Sequence, residues 1–211
     1  DAAGIHVGEG FAEGRDVASK TRENALFLSV VAQLNGAESQ RILDWFRNGL
    51  ALVSGVEDRG HLAFTTRMVS EGAWTEDILR LAREADLGIS GISAKGVPED
   101  RLSRGLRVLS MFLQEGVETL RIRHRKLDSA GEVAGEVDFN LSDESEGTQK
   151  LIALAGPLLN VLKRGTALFF DELDARLHPR LTRAVVSLFH GDSNPDKAQL
   201  LAATHDTNLL D

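Results

Sequence analysis

Two carboxylates at the end of an apolar run are the residues whose types and spacing most directly suggest chemistry. Residues 167–170 are continuously apolar, and Asp171 and Glu172 follow them at once. In an open α/β sheet, ligands bind beyond the carboxyl ends of the strands. One carboxylate there can hold a Mg²⁺ ion that bridges two phosphates, and a second can polarise an attacking water. Taken alone, however, such a pair is more often an ordinary strand end.

A second apolar run, Ala198–Thr204, is followed by His205 and Asp206. A strand, a helix and a strand, with continuously apolar strands, predict a parallel sheet that is covered on both faces. Neighbouring parallel strands would then present Asp171, Glu172 and His205 along one edge. A histidine at that edge can donate a hydrogen bond to a γ-phosphate oxygen, although a single histidine is more often a solvated loop residue.

Ser145 and Gly147 stand just before Leu151–Leu162, an apolar segment long enough to predict a buried helix. Backbone N–H groups and the helix dipole favour an anion at such a position. Glycine also lets the backbone approach a phosphate closely. The alternative is an ordinary capping box, although Thr148 stands where this motif requires Glu or Gln.

The rest of the chain predicts the elements that position these residues. Apolar periodicity predicts helices over 24–34, 38–52, 75–85 and 179–190, with Thr75 as an N-cap and Pro179 in a first turn. Glycines, Pro98 and mixed charges predict an exposed loop over 88–106. Alternation with period two predicts strands over 117–124 and 133–141, joined by a turn at 128–131.

Composition limits the classes of function. The chain has 211 residues, of which 42% are hydrophobic and 27% charged, as in an ordinary packed domain. A formal net charge of −8 argues weakly against a broad basic surface for nucleic acid. Cysteine is absent, which excludes disulfides and thiolate metal sites and suits a reducing cytoplasm. No apolar stretch approaches a membrane span, and no secretory signal opens the chain.

Four short motifs, in order, resemble those of the ABC ATPase superfamily. They are Glu144–Gln149 (the signature motif), Ala167–Glu172 (Walker B), Leu173–Pro179 (the D-loop and its turn) and Thr204–Asp206 (the His switch). Together with Thr21–Asn35, they are most similar to bacterial abortive-infection-type AAA-family ATP-binding proteins. These proteins belong to the branch that includes SMC-like, RecF-like and overcoming-lysogenization-defect ATPases.

This resemblance implies a fold, two cofactors and a role for each motif residue. The fold is α/β, the P-loop NTPase-like parallel sheet of an ABC ATPase head, with a helical signature subdomain and a small antiparallel hairpin. The cofactors are ATP and Mg²⁺, held where two heads sandwich two nucleotides. The implied roles are Mg²⁺ ligand (Asp171), general base (Glu172), γ-phosphate contact (His205), partner-subunit contact (Asp174) and nucleotide binding across the dimer (Ser145, Gly147 and Gln149).

The chain also departs from the family. No segment reads G-x-x-x-x-G-K-[ST], the phosphate-cradling P-loop. We therefore expect a central fragment, or more rarely a split or degenerate head. Its expected parts are a poorly defined segment (1–20), a helical insert subdomain (21–144) and the ATPase core (145–211). Glu146 replaces a signature glycine, where its charge would repel a γ-phosphate unless it points away. Gln33 is the only candidate for a Q-loop glutamine, and its helical context favours packing.

Three functional hypotheses follow. The first is a cytoplasmic ATPase subunit of an antiphage or abortive-infection system, which dimerises through its heads and controls an effector such as a nuclease. The second is a DNA repair or maintenance ATPase of the RecF or SMC type, although no heptad repeat is present and the net charge does not support nucleic-acid binding. The third is a catalytically silent interaction module, which only the missing P-loop supports.

Overall fold

The computed structural model describes residues 4–56, 59–97 and 118–209. The chain divides into two compact units, Asp1–Ala51 and Leu52–Asp211. The expected parts, 1–20, 21–144 and 145–211, stay predictions. Within the described ranges, no helix is both long and apolar enough to cross a membrane.

The helices and strands, in chain order, are α1 (Phe27–Gln33), α2 (Ala37–Asn48), β1 (Leu50–Ser54), α3 (Arg59–Ser70), α4 (Thr75–Glu84), β2 (Ile89–Gly96), β3 (Glu118–Leu127), β4 (Val133–Asn140), α5 (Glu146–Arg164), β5 (Ala167–Asp171), α6 (Pro179–Ser187) and β6 (Gln199–Ala202). Short 3₁₀ turns precede α1, connect β4 to α5 and follow β6. The predicted α/β class is confirmed.

In the first unit, the carboxylate of Glu13 stabilises the start of α2 by hydrogen bonds. Glu13 accepts hydrogen bonds from the hydroxyl of Ser39 at 2.6 Å and from the backbone N–H groups of Ser39 and Glu38 at 2.8 and 3.1 Å. The Ser39 hydroxyl is the main reason that the pKa of Glu13 lies below its ordinary value. A negative charge at a helix N-terminus also complements the helix dipole. The start of α2 is therefore set by a contact that the sequence pattern did not show.

The predicted helix over 38–52 was wrong in its last part. The helix α2 ends at Asn48, and Leu50 already belongs to β1. The apolar residues at 50, 52 and 53 continued the helical spacing, but hydrogen bonding to a neighbouring strand outweighs that pattern. Thr75 is likewise not an N-cap, because Trp74 holds that position with a φ of 59° and Thr75 is the first helical residue.

The parallel sheet has the strand order β1-β5-β6. Strands β5 and β6 are parallel, as predicted, with Phe169 opposite Leu201. Leu168 and Phe170 are fully buried, whereas Phe169 and Leu201 are 39% and 49% exposed. The prediction that both faces are covered was therefore wrong for the part of the chain that the structure describes. An apolar strand is compatible with an open face, so continuous hydrophobicity alone could not decide this.

The predicted hairpin is present as β3 and β4, and β2 extends it to a three-stranded antiparallel sheet. Asp128 shapes the predicted turn, since its carboxylate accepts the N–H groups of Ala130 and Glu132, both at 2.9 Å. The loop predicted over 88–106 was wrong for residues 89–96, and its remainder from 98 lies outside the described residues. Gly91 suggested a loop, but it lies in β2 with Arg123 close beside it.

Helix α5 carries most of its residues in the core and crosses α3 closely. Pro157 lies inside α5 and has no N–H, so the carbonyl of Ala153 lacks its usual helical partner. The buried hydroxyl of Thr65 on α3 donates to that carbonyl at 2.7 Å and accepts the N–H of Gly156 at 3.0 Å. A side chain at Gly156 would meet the Thr65 hydroxyl at 2.5 Å. These contacts hold α5 against α3.

Candidate functional site

The two predicted acids lie where β5 ends. Asp171 is the last residue of the strand and Glu172 follows it, and both are exposed. Glu172 has a φ of 53°, in the left-handed region that costs a residue with a side chain roughly 1–2 kcal/mol. Its carbonyl accepts the N–H of Ala175 at 3.0 Å, which closes a tight turn. The strained turn leaves both carboxylates open to a ligand at the carboxyl edge of the sheet.

Gly55 supports this turn from the segment that follows β1. Its N–H donates to the carbonyl of Asp171 at 2.7 Å. A Cβ atom at position 55 would lie 1.9 Å from the carbonyl oxygen of Glu172, far inside any contact distance. Only glycine fits there while the turn keeps its position. The sequence patterns did not single out Gly55, and its place directly after an apolar run was the only signal.

The loops after β5 and β6 are joined through Asp174. Its carboxylate accepts the hydroxyl of Thr204 at 2.6 Å and the backbone N–H of His205 at 3.0 Å. The Thr204 hydroxyl, followed by the His205 N–H, holds the pKa of Asp174 below its ordinary value of 3.8. The structure thus brings together two predicted site residues, Asp174 and His205, within one chain. Thr204, which belongs to the His-switch motif but received no role from the sequence, is the residue that positions Asp174.

The lowered pKa of Asp174 predicts a pH-dependent stability. Its ionised form is favoured in the folded state, so its contribution is present above the ordinary pKa of 3.8 and is lost as pH falls through the lower folded value. We expect Asp174→Asn to melt at a lower temperature than the wild type, and this difference should not change with pH near neutrality. The difference from the wild type should shrink below about pH 4. Thermal melts between neutral pH and about pH 3 measure it.

The matched control is Asp192→Asn, which removes an exposed carboxylate outside this pair of loops. We expect its effect on melting temperature to be small and nearly the same at each pH. A difference between Asp174→Asn and the wild type that persists unchanged at low pH would show that the carboxylate charge does not hold the two loops together.

Ser145 caps α5 through its side chain. Its hydroxyl oxygen accepts the N–H of Thr148 at 3.2 Å and lies 2.8 Å from the Thr148 hydroxyl. A hydroxyl has one donor and two acceptor sites. When Thr148 donates both of these bonds, the Ser145 proton is free for an anion. The capping role and the predicted phosphate contact are therefore compatible.

The other residues at this helix start are held within the chain. Gly147 lies against α6, where a Cβ atom would be 3.2 Å from Leu181 and 3.8 Å from the Arg176 carbonyl. The side-chain amide of Gln149 donates to the carbonyl of Glu144 at 2.7 Å. His124 of β3 lies 2.7 Å from the Glu144 carboxylate. The nucleotide contacts of Gly147 and Gln149 stay predictions. Close packing against α6 is a second explanation for the glycine at position 147.

Asp171 suits the kind of Mg²⁺ site in which the ion is bound together with a nucleotide. Magnesium is usually held by one or two carboxylates, with phosphates and water completing its shell. Asp171 offers one exposed carboxylate. Over residues 4–56, 59–97 and 118–209, no group of three or more His, Asp or Glu side chains forms a cage for a metal. The single carboxylate of Asp171 suits an ion whose shell phosphate also completes.

Comparison with known proteins agrees with this geometry. A parallel sheet that carries acids at its carboxyl edge, beside a capped helix, is consistent with the P-loop NTPase-like class. Residues 11–211 match the family described as "AAA domain, putative AbiEii toxin, Type IV TA system". The chain belongs to this family of AAA ATPases, which confirms the predicted ATPase family at that level. No match was found among curated proteins or among solved structures.

Proposed function

We propose that this protein is an ATPase head that binds and hydrolyses ATP at a dimer interface and thereby controls an effector in antiphage or abortive-infection defence. The observation that carries the proposal is the strained turn at Asp171 and Glu172, which exposes two carboxylates at the carboxyl edge of the sheet. The family description, which names a toxin of a toxin–antitoxin system, supports the link to defence. We also place the protein in the SMC-, RecF- and OLD-like branch, and in the cytoplasm.

Three residues would have separate roles in the hydrolysis. Asp171 would hold Mg²⁺, which supplies neutralising charge between the phosphates. Glu172 takes a proton from the attacking water as general base. His205, whose backbone Asp174 holds at 3.0 Å, donates to the γ-phosphate. All three residues lie at the carboxyl edge of the sheet or on the loop after β6.

The helix start would serve the second subunit. Ser145 and Gly147 would contact the γ-phosphate of a nucleotide held by the opposite head, because the N-terminus of α5 favours an anion. Glu146, the first residue of α5, is exposed, so its carboxylate can remain in solvent. ATP would thus join two copies of the head, and hydrolysis would release them. An effector such as a nuclease would respond to that cycle.

ATP-dependent dimerisation tests this proposal in the natural full-length protein. We expect Ser145→Arg to weaken ATP-induced dimers at least about tenfold, because a bulky cation would fill the space of the partner's phosphate. Nucleotide binding to the variant's own head should persist. Analytical ultracentrifugation with a non-hydrolysable ATP analogue measures the dimer, and calorimetric titration measures nucleotide binding.

Two control variants separate the causes of such a loss. Ser145→Ala removes the same cap, which costs about 0.5–2 kcal/mol of stability, but adds no bulk and should weaken the dimer less. Ser142→Arg places the same charge on an exposed neighbour and should dimerise normally. ATP-induced dimers of Ser145→Arg as tight as those of the wild type would refute the interface.

A further inference from the structure

Lys150 is a buried cation that the proposed hydrolysis does not use. It lies in the second turn of α5, after the Ser145 cap, and only 2% of its surface is exposed. Its ammonium group donates a hydrogen bond to the backbone carbonyl of Gly55. A buried ammonium group is costly unless it is hydrogen-bonded, so this contact is not readily exchanged for water.

Gly55 carries the contact on to the acidic turn. The peptide that follows Gly55 offers its carbonyl to Lys150, while the Gly55 N–H donates to the carbonyl of Asp171. The backbone of Glu172 lies so close that no Cβ atom fits between. No empty space therefore lies beside Gly55 into which the Asp171–Glu172 turn could shift.

A second cation also contacts this segment. Arg176, which follows the acidic turn, donates to the carbonyl of Val56 at 2.8 Å. Its own carbonyl lies 3.8 Å from the Cβ position of Gly147, at the start of α5. Residues 55 and 56 are thus held between the helix that begins at the Ser145 cap and the turn that carries the acids.

We propose that Lys150 is a positioning residue that couples the nucleotide held by the Asp171–Glu172 turn to the Ser145 end of the same chain. The inference rests on the proposed function, in which these two ends face different nucleotides of the dimer. Lys150 transmits movement of the turn through Gly55 to the first turns of α5. One site thereby senses whether the other is filled, and the two sites hydrolyse ATP cooperatively.

Steady-state ATP hydrolysis by the natural full-length protein tests the coupling. We expect the wild type to show a Hill coefficient above about 1 for ATP, and Lys150→Met to bring it to about 1. The kcat should fall about tenfold while the KM changes less than about twofold, because binding at each site is kept. Lys150→Arg keeps a cationic donor and should retain part of the cooperativity. A purely structural role would lower the melting temperature without this pattern.

Lys163→Met is the matched control, since it makes the same change at the far end of α5, where Lys163 pairs with Asp77 at 2.6 Å. Its Hill coefficient should equal that of the wild type. Should Lys150→Met fail to fold, Lys150→Gln, whose shorter side chain carries no charge, takes its place with the same expected loss. An unchanged Hill coefficient and kcat in the folded Lys150 variant, or a non-cooperative wild type, would overturn the coupling alone. A wild type that neither binds nor hydrolyses ATP would instead refute the proposed function.

Discussion

Glu172→Gln in the natural full-length protein is expected to slow ATP turnover about 10²–10⁴-fold, which is the usual contribution of a general base. Glutamine keeps nearly the shape of the side chain but cannot take a proton from water. Its amide is compatible with the left-handed turn at φ 53°, because the change lies beyond the backbone and Cβ. ATP binding should therefore remain, and the ATP-bound dimer should accumulate. Single-turnover hydrolysis and size-exclusion chromatography with ATP measure the two effects.

Glu132→Gln provides the control, since it makes the same chemical change at an exposed position in the β3–β4 turn. Its turnover should match that of the wild type. If Glu172→Gln hydrolyses ATP at the wild-type rate, Glu172 is not the base, and the two acids at the end of β5 have another role. If its turnover is lost together with ATP binding, the residue is needed for the site rather than for the proton transfer.

Gly55→Ala is expected to be the most disruptive small substitution near the site. The added methyl group would lie 1.9 Å from the carbonyl oxygen of Glu172 and 2.8 Å from its carbonyl carbon. Both atoms are backbone, so no side chain can rotate away. Overpacking of this kind costs about 1–3 kcal/mol, and a displaced catalytic group can lose about 10²-fold in rate. Urea unfolding and ATP hydrolysis measure the two consequences.

Gly60→Ala is its matched control, because the same methyl group there meets nothing within 4 Å. Gly60 lies in α3, where alanine is favoured over glycine by about 0.5–1 kcal/mol. We therefore expect Gly60→Ala to be neutral or slightly stabilising, with normal turnover. A Gly55→Ala variant with the stability and turnover of the wild type would show that the turn moves freely and is not held by its neighbour.

Local pattern was a good guide where one short segment contains all of the information. The strand before Asp171, the helix after Ser145, the β3–β4 hairpin and the parallel β5–β6 pair were each predicted from periodicity and turn residues. These elements bury their own apolar residues, so hydrophobicity and structure agree. Strand β2 was missed because Gly91 suggested a loop, whereas it pairs with Arg123 of β3, a residue far away along the chain that periodicity does not register.

The sequence by itself determined which chemical groups are present and their order along the chain: two acids after an apolar strand, a serine and a glycine before a buried helix, and a histidine after a second strand. The tertiary structure alone decided how these groups are held. Asp174 reaches Thr204, Lys150 reaches Gly55 across 95 positions of the chain, and Gly55 lies against the Glu172 backbone. Such contacts depend on sheet order and helix crossing, which residue spacing does not encode, because distant segments meet only when the core packs.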